Sequence, residues 1–272
     1  SRHRIIKEEV KLSIITVNLN NEAGLKKTIE SVIAQSFTDY EWIVIDGGSI
    51  DGSVWLIEKY ADRFTCRISE PDTGIYNAMN KGILKAGGEY CFFLNSGDYF
   101  INGEVLKNFF SARFSEDVVS GNMFVITNGS ITEKCKGKND LTFLDLYLSL
   151  IKHQATFIKR ELFQKFGLYN ESLKIVADYE FFIKTVGFGG ASYRYVNLDL
   201  TCFDNGGISN RNPSLVKEEK EKIKIRYIPS IMRQDYDLLV RYRNIMFVDR
   251  YVILSLFQRI LGKTAKLISG KG

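Results

Sequence analysis

Short apolar runs alternate with segments of helical period between residues 11 and 98, and each apolar run ends in a polar loop. Strands that alternate with helices through short loops build a parallel sheet, because right-handed crossovers return the chain to the same edge. We therefore expect an α/β fold in which helices flank a mostly parallel central sheet. The pattern predicts strands at 11–17, 42–45, 66–69 and 90–94, and helices at 22–36, 53–64 and 75–86.

The pattern is less regular after residue 98. It predicts strands at 118–126, 154–158 and 193–197, and helices at 141–151, 160–167 and 177–186. Residues 214–262 have a helical period with a break near Pro229. We predict an α/β domain at 1–210 and a helical, basic C-terminal extension at 211–272.

Positive charge is concentrated in the C-terminal region. Residues 214–272 hold 13 Lys and Arg against 6 Asp and Glu, whereas residues 1–213 hold 24 against 26. A nucleic-acid-binding body would carry a basic face, so this distribution argues against a nucleic-acid partner. Residues 236–262 alternate basic and apolar side chains, a pattern that fits either peripheral contact with anionic lipid or packing on protein, including a homodimer contact. Their longest uncharged run, 251–258, is far shorter than the about 20 residues of a spanning helix.

Cysteine usage indicates a reducing compartment. The four cysteines, Cys66, Cys91, Cys135 and Cys202, form no C-x-x-C pair. Residues 1–11 are charged and lack the apolar segment of a secretion signal. We expect a cytoplasmic protein, peripheral at the inner face of the plasma membrane if the basic segment binds lipid.

Two carboxylates flank a Gly-Gly turn directly after the second predicted strand. Asp46 is at the tip of that strand, where it can accept hydrogen bonds from a nucleobase imide or a ribose hydroxyl. Asp51 stands before the next helix, and we interpret it as a helix cap. The sequence G-x-G-x-x-G does not follow the first strand, so the dinucleotide fingerprint is not met.

Polar residues also surround the start of the third predicted helix. Glu70 and Asp72 precede it, where acidic side chains complement the helix dipole. Asn77, Asn80 and Lys81 are three or four residues apart and share one face. This face either lines a nucleotide cleft or is an ordinary solvated surface.

Three further residues have chemistry to offer, each with a simpler alternative. Asp98 ends a polar turn after an apolar strand, and it is either a turn residue or a ligand of a divalent cation that also binds phosphate oxygens. Asp178 starts a helix and is either its N-cap or a general base. His153 precedes a predicted strand and either reaches the same cleft or has a structural role.

Five segments in this order resemble glycosyltransferase family 2, whose members are inverting enzymes of the GT-A fold. Within that family the chain looks closest to bacterial exopolysaccharide transferases of the colanic-acid type. The segments are 13–18, 45–52, 72–82, 94–98, and His153-Gln154 together with Ala177-Asp178-Tyr179.

The resemblance implies a role for each matching residue. Asp178 would be the catalytic base, and Asp98 would bind Mg²⁺ or Mn²⁺ at the donor diphosphate. The commoner metal motif of the family reads Asp-x-Asp-Asp, whereas here Asn95 and Gly97 replace its first two acids. The residues implied in donor binding are Thr16, Asn18, Glu22, Asp46, Asp72, Asn80, Lys81, Asn95 and His153.

The same resemblance implies a metal-dependent inverting glycosyltransferase, with residues 1–210 as its nucleotide-sugar-binding and catalytic domain. The donor would be a nucleotide sugar, with UDP the expected nucleotide, and the acceptor a polysaccharide or a lipid-linked oligosaccharide. The depleted acidic motif leaves a non-catalytic nucleotide-sugar-binding protein of the same fold as the alternative. A nucleotidyltransferase is less favoured, because residues 16–22 lack a Gly-rich basic phosphate loop.

Overall fold

Nine strands form one mixed sheet within residues 10–243, the part of the chain that the structure, a computed structural model, describes. The strands are β1 (Leu12–Asn18), β2 (Tyr40–Asp46), β3 (Cys66–Ser69), β4 (Tyr90–Phe93), β5 (Tyr99–Phe100), β6 (Val118–Thr127), β7 (Ser130–Cys135), β8 (Thr156–Lys159) and β9 (Tyr193–Asp204). The helices are α1 (Glu22–Ile33), α2 (Ser53–Lys59), α3 (Ile75–Lys85), α4 (Val105–Ser111), α5 (Phe143–Tyr147), α6 (Arg160–Phe166), α7 (Ala177–Phe182), α8 (Ile208–Arg211) and α9 (Pro213–Tyr227).

The first half of the sheet is parallel, which confirms the predicted α/β architecture. The spatial order is β3-β2-β1-β4-β8-β6-β9-β5, with β7 beside β6. Strands β3, β2, β1 and β4 run parallel to one another. Strand β8 is antiparallel to both β4 and β6, and β6 is parallel to β9. The carboxyl ends of β1, β2 and β4 therefore meet at one edge, where α/β proteins bind ligands.

Burial explains why these apolar runs form strands. Every residue of β1 and of β4 is buried, as expected for strands covered on both faces. Helix α3 packs closely on β1, because a Cβ atom at Gly82 would lie 2.5 Å from Ile15 Cγ2. Since α3 follows the carboxyl end of β3, its first turn lies at the edge where the polar loops gather.

The sequence pattern is a poorer guide after residue 98. It does not indicate β5, which has two residues, or β7, whose residues are mostly exposed and polar. The helix predicted at 141–151 is only the short α5, and the extended segment predicted at 193–197 belongs to the longer β9. The helix predicted at 177–186 is α7, continued by the π-helical segment Ile183–Phe188.

The chain divides into two compact units, Ser1–Ile223 and Lys224–Gly272. The first unit contains the sheet and most of α9. The predicted domain boundary between residues 210 and 211 stays a prediction.

The C-terminal helices show the predicted break. Helix α9 ends at Tyr227, before Pro229, and residues 230–243 are again helical. The predicted amphipathic segment 236–262 lies mostly outside the described residues. Within residues 10–243, no helix is both long enough and apolar enough to cross a membrane.

Candidate active site

Asp46 organises the loop that follows β2. Its side chain has no exposed area, and its Oδ1 accepts a hydrogen bond from Asn18 Nδ2 at 2.8 Å. The Ser49 backbone N–H and the Ser69 hydroxyl donate to its Oδ2. Burial raises the pKa of Asp46, but the hydrogen bonds from Ser49, Asn18 and Ser69 outweigh this effect and hold the pKa below its ordinary value. Both oxygens of Asp46 are therefore used within the protein, and its predicted contact with a ligand stays a prediction.

Asn18 lies beside Asp46 and keeps an unused group. It is buried, and its Nδ2 donates to Asp46 and to the Ser49 hydroxyl. Its Oδ1 is buried without a hydrogen-bond partner. A buried polar atom without a partner usually has a functional or solvent-related explanation. Asn18 is therefore still available to a ligand that donates a hydrogen bond.

Thr16 is part of the hydrophobic core. It has no exposed area, and its hydroxyl accepts a hydrogen bond from Trp42 Nε1 at 3.1 Å. Because side chains alternate along a strand, Thr16 points to the same face of β1 as Leu12 and Ile14, which belong to that core. The Thr16 side chain is thus used within the protein, and its predicted donor contact stays a prediction.

Asp51 and Glu22 lie at the helix starts beside this loop. The Asp51 carboxylate accepts from the backbone N–H of Glu22 at 3.0 Å and of Ser53 at 2.9 Å, the first residues of α1 and α2. The N-cap of α2 is nonetheless Gly52, so the interpretation of Asp51 as the cap is wrong. The Glu22 side chain is exposed and packs over Gly52, where a Cβ atom would lie 2.3 Å from the Glu22 carboxyl carbon. Glu22 thus has a carboxylate at the same edge of the sheet.

The acidic loop before α3 packs on the loop after β2. Asp72 Oδ1 accepts from the Gly74 backbone N–H at 2.9 Å. A Cβ atom at Gly47 would lie only 2.3 Å from Asp72 Oδ2, so a larger residue there would displace the Asp72 carboxylate. Lys81 Nζ lies 2.7 Å from Glu70 Oε1. This ion pair links the acidic loop to α3 and holds the Lys81 side chain beside that loop.

Asn80 joins α3 to the segment that precedes α7. It is buried, donates to the Tyr169 carbonyl and to Glu171 Oε1, and accepts from the Tyr169 backbone N–H. Asn77 donates to Glu171 Oε2 at 2.8 Å. Two of the three polar residues that share this face of α3 are therefore occupied by contacts within the protein. Both amide protons of Asn80 are used within the protein, and its predicted donor contact stays a prediction.

Asp98 lies at the carboxyl end of β4 and is buried. Its Oδ1 accepts a long hydrogen bond, 3.3 Å, from the backbone N–H of Asp204 at the end of β9. Burial raises the pKa of Asp98 to about 7. A buried carboxylate that accepts so few hydrogen bonds is stabilised by a nearby positive charge.

The oxygen atoms near the end of β4 fit a hard divalent cation in part. Besides the Asp98 carboxylate, Asn95 Oδ1 is buried without a hydrogen-bond partner. Within residues 10–243, no three His, Cys, Asp or Glu side chains are grouped so that they could hold a metal by themselves. Mg²⁺ typically takes one or two carboxylates and completes its shell with phosphate oxygens and water. The residues present therefore fit a cation that arrives with a diphosphate.

Asp178 is held by two side chains. Its Oδ2 lies 2.8 Å from His153 Nδ1, and its Oδ1 lies 3.0 Å from the Tyr76 hydroxyl. Burial raises its pKa, but His153 and the hydrogen bond from Tyr76 outweigh this and lower the pKa below its ordinary value. The N-cap of α7 is Val176, so the capping interpretation of Asp178 is wrong.

His153 contacts Asp178 and also influences Asp98. It helps to lower the pKa of Asp178, and it offsets a small part of the rise that burial causes in the pKa of Asp98. Its Nε2 is buried without a hydrogen-bond partner. Its contact with Asp178 is direct, and the predicted convergence of Asp98 and Asp178 stays a prediction.

Several residues of the site are not indicated by the sequence pattern. Tyr76 stands in α3 next to Asn77, and only its contact with Asp178 gives it a role. Glu171 is in a loop without a motif. Glu219 has no signal in the sequence, because the segment it contacts lies more than forty residues before it.

The fold is that of the GT-A glycosyltransferases. The crystal structure of S. aureus TarS 1-349 in complex with UDP matches with a TM-score of 0.61 and 21% identity, over 71% of this chain and 60% of that chain. The mannosyltransferase PcManGT from Pyrobaculum calidifontis, in complex with GDP-Man and Mn²⁺, matches with a TM-score of 0.55 and 14% identity. At these identities the likeness concerns the fold alone.

The family follows from the sequence comparisons. The model of Glycosyl transferase family 2 matches residues 13–171. A PGL/p-HBAD biosynthesis glycosyltransferase of Mycobacterium tuberculosis is 30% identical over 205 residues, covering 73% of this chain and 78% of the relative. An uncharacterized glycosyltransferase of the same species is 33% identical over 215 residues, covering 75% and 79%. The chain belongs to glycosyl transferase family 2, and the finer likeness to colanic-acid-type enzymes stays a prediction.

Proposed function

We propose that the protein transfers a sugar from a nucleotide donor to an acceptor hydroxyl with inversion at the anomeric carbon. The observation that carries this proposal is the buried Asp178 carboxylate, which His153 and the Tyr76 hydroxyl hold within hydrogen-bond distance. In the proposal this carboxylate is the base for the acceptor, and Asp98 belongs to the site of the donor diphosphate. The donor we propose is a UDP-sugar, because UDP is bound in the TarS structure of the same fold.

Asp178 acts as the general base in this mechanism. A neutral hydroxyl is a weak nucleophile, so a carboxylate that takes its proton during attack accelerates the reaction. The new bond from the acceptor oxygen to the anomeric carbon forms while the bond to the diphosphate oxygen breaks on the opposite face. One displacement of this kind inverts the configuration. His153 and Tyr76 hold the Asp178 carboxylate in place and keep it ionised.

The donor side is built from the loops at the carboxyl edge of the sheet. Asn18 and Glu22 are candidates for the nucleoside, and Asp72 and Lys81 for the rest of the donor. Asp46 and Asn80 do not contact the donor in this proposal. They hold the loops that carry these candidates in position. Asp98, with Asn95 beside it, would bind Mg²⁺ or Mn²⁺, which neutralises the charge of a departing diphosphate when it is bound.

A panel of nucleotide sugars tests this function. Each sugar is added with Mn²⁺, and both the melting temperature and the release of the nucleoside diphosphate are measured. A ligand at 100 times its Kd is expected to raise the melting temperature by about 5–10 °C. A UDP-sugar that binds and is turned over supports the proposal. Binding without turnover would favour the non-catalytic alternative, and no shift with any donor would reject both.

The acceptor we propose is a polysaccharide or lipid-linked oligosaccharide of the cell envelope. The protein would bind it at the inner face of the plasma membrane. The basic excess of residues 214–272 is what supports this.

Deletion of residues 236–272 tests the membrane contact. The full chain is expected to sediment with vesicles that contain anionic lipid and not with neutral vesicles, and the shortened chain with neither. Equal sedimentation of both chains would exclude lipid binding by this segment. A change from dimer to monomer in analytical ultracentrifugation would instead assign it to a homodimer contact.

A further inference from the structure

The side chain of Glu219 is buried in α9 and is only 4% exposed. Its Oε1 accepts a hydrogen bond from the backbone N–H of Lys174 at 2.7 Å. Its Oε2 accepts from the backbone N–H of Ile175 at 3.0 Å and of Val176 at 3.3 Å. Three successive N–H groups thus bind one carboxylate.

This arrangement has a clear energetic meaning. A buried carboxylate is costly unless hydrogen bonds replace its lost hydration. Hydrogen bonds to a charged acceptor are stronger than those between neutral groups, so the three N–H groups hold Glu219 and are held by it. The segment that they belong to ends at Val176, the N-cap of α7. Asp178 follows two residues later.

A second contact fixes the same segment from the other side. The Tyr76 hydroxyl lies 2.6 Å from the Ile175 carbonyl oxygen and 3.0 Å from Asp178 Oδ1. Tyr76 therefore links the backbone that Glu219 holds to the carboxylate of Asp178. A shift of residues 174–176 would displace both the Asp178 carboxylate and the Tyr76 hydroxyl that contacts it.

We propose that Glu219 is a positioning residue for Asp178, acting through the backbone of residues 174–176 and Tyr76. Helix α9, which the sequence assigns to the C-terminal extension, then belongs to the catalytic machinery. The inference rests on the proposed function of Asp178 as the base. A base displaced by about 1 Å loses about 100-fold in rate, so a residue that acts in this way affects turnover more than donor binding.

The test compares Glu219→Gln with Glu218→Gln in the full chain. Glu218 is the preceding residue of α9, its side chain is 58% exposed, and it pairs with Lys222. In Glu219→Gln one oxygen becomes an NH₂ group, which faces backbone N–H donors instead of accepting from them. We expect kcat to fall about 10- to 100-fold with the KM for the donor unchanged. Glu218→Gln should match the wild type.

A double-mutant cycle tests whether Glu219 and Tyr76 act on Asp178 through the same backbone segment. Tyr76→Phe removes the hydroxyl and should also lower kcat. If both residues act on Asp178 through the same segment, the loss in the double variant is smaller than the product of the two single losses. A loss equal to the product would overturn the proposed link, as would wild-type kcat in Glu219→Gln.

Hydrogen exchange gives a readout that does not depend on the reaction. The amides of Lys174, Ile175 and Val176 should exchange faster in Glu219→Gln than in the wild type and in Glu218→Gln. Unchanged exchange would overturn the inference even if the enzyme were active. If the wild type transferred no sugar, the proposed function would fail, and the exchange rates would still decide whether Glu219 holds this segment.

Discussion

Replacing Asp178 with asparagine is expected to lower kcat by about 100- to 10,000-fold, which is the usual contribution of a general base. Asparagine has the same shape, and its side-chain oxygen still accepts from the Tyr76 hydroxyl, so the fold should survive. It cannot take a proton from the acceptor. Binding of the nucleotide sugar, measured by calorimetry, should not change, because Asp178 acts on the acceptor.

Asp62→Asn is the matched control for this variant. The Asp62 side chain is 76% exposed and lies in a short turn after α2. Its removal changes the net charge by the same amount as the Asp178 variant, so kcat should stay at the wild-type value. Wild-type turnover in Asp178→Asn would exclude this residue as the base.

Asp98→Asn should have the second-largest effect. Stabilisation of a departing diphosphate by a metal is worth several kcal/mol, so we expect turnover to fall about 100- to 1,000-fold. The variant keeps the size of the side chain and an oxygen that can accept from the Asp204 backbone N–H. Calorimetry should show weaker binding of Mn²⁺ with UDP. Unchanged Mn²⁺ affinity would remove Asp98 from the metal site.

Because the pKa of Asp98 is raised, its effects on metal affinity and on the free energy of unfolding should depend on pH. Because the pKa is about 7, a proton competes with the cation as the pH falls below neutral, and metal affinity should decrease. Without metal, the folded protein holds a proton between about pH 4 and 7 that the unfolded chain releases. The free energy of unfolding should therefore fall by up to about 4 kcal/mol as the pH rises through this window. Asp98→Asn should abolish this contribution, and an unchanged pH profile would contradict it.

The sequence predicted the part of the site that depends on strand ends. Asp46 ends β2, Asp72 and Asp98 follow β3 and β4, and parallel strands bring their carboxyl ends to one edge. The presence of these acids at that edge could be predicted because it depends on local periodicity and topology. What each side chain contacts could not be predicted, and for Asp46 the contacts proved to be internal.

Thr16 and Asn80 differ in how far the sequence indicates what their side chains contact. Thr16 has the same parity along β1 as Leu12 and Ile14, so strand alternation alone indicates that it faces the core. Asn80 gives no such signal. Its partners, Tyr169 and Glu171, are about ninety residues away in the chain, and only the packing of α3 on that loop brings them together.

The sequence by itself determined the alternating α/β architecture, the edge at which the polar loops gather and the family to which the chain belongs. Only the tertiary structure decided that His153 contacts Asp178, that Tyr76 reaches Asp178, and that Glu219 holds the segment before α7. The physical reason is the range of the interactions. Periodicity and strand ends are properties of neighbouring residues, whereas these contacts join groups that are distant in the chain and meet only when the elements pack.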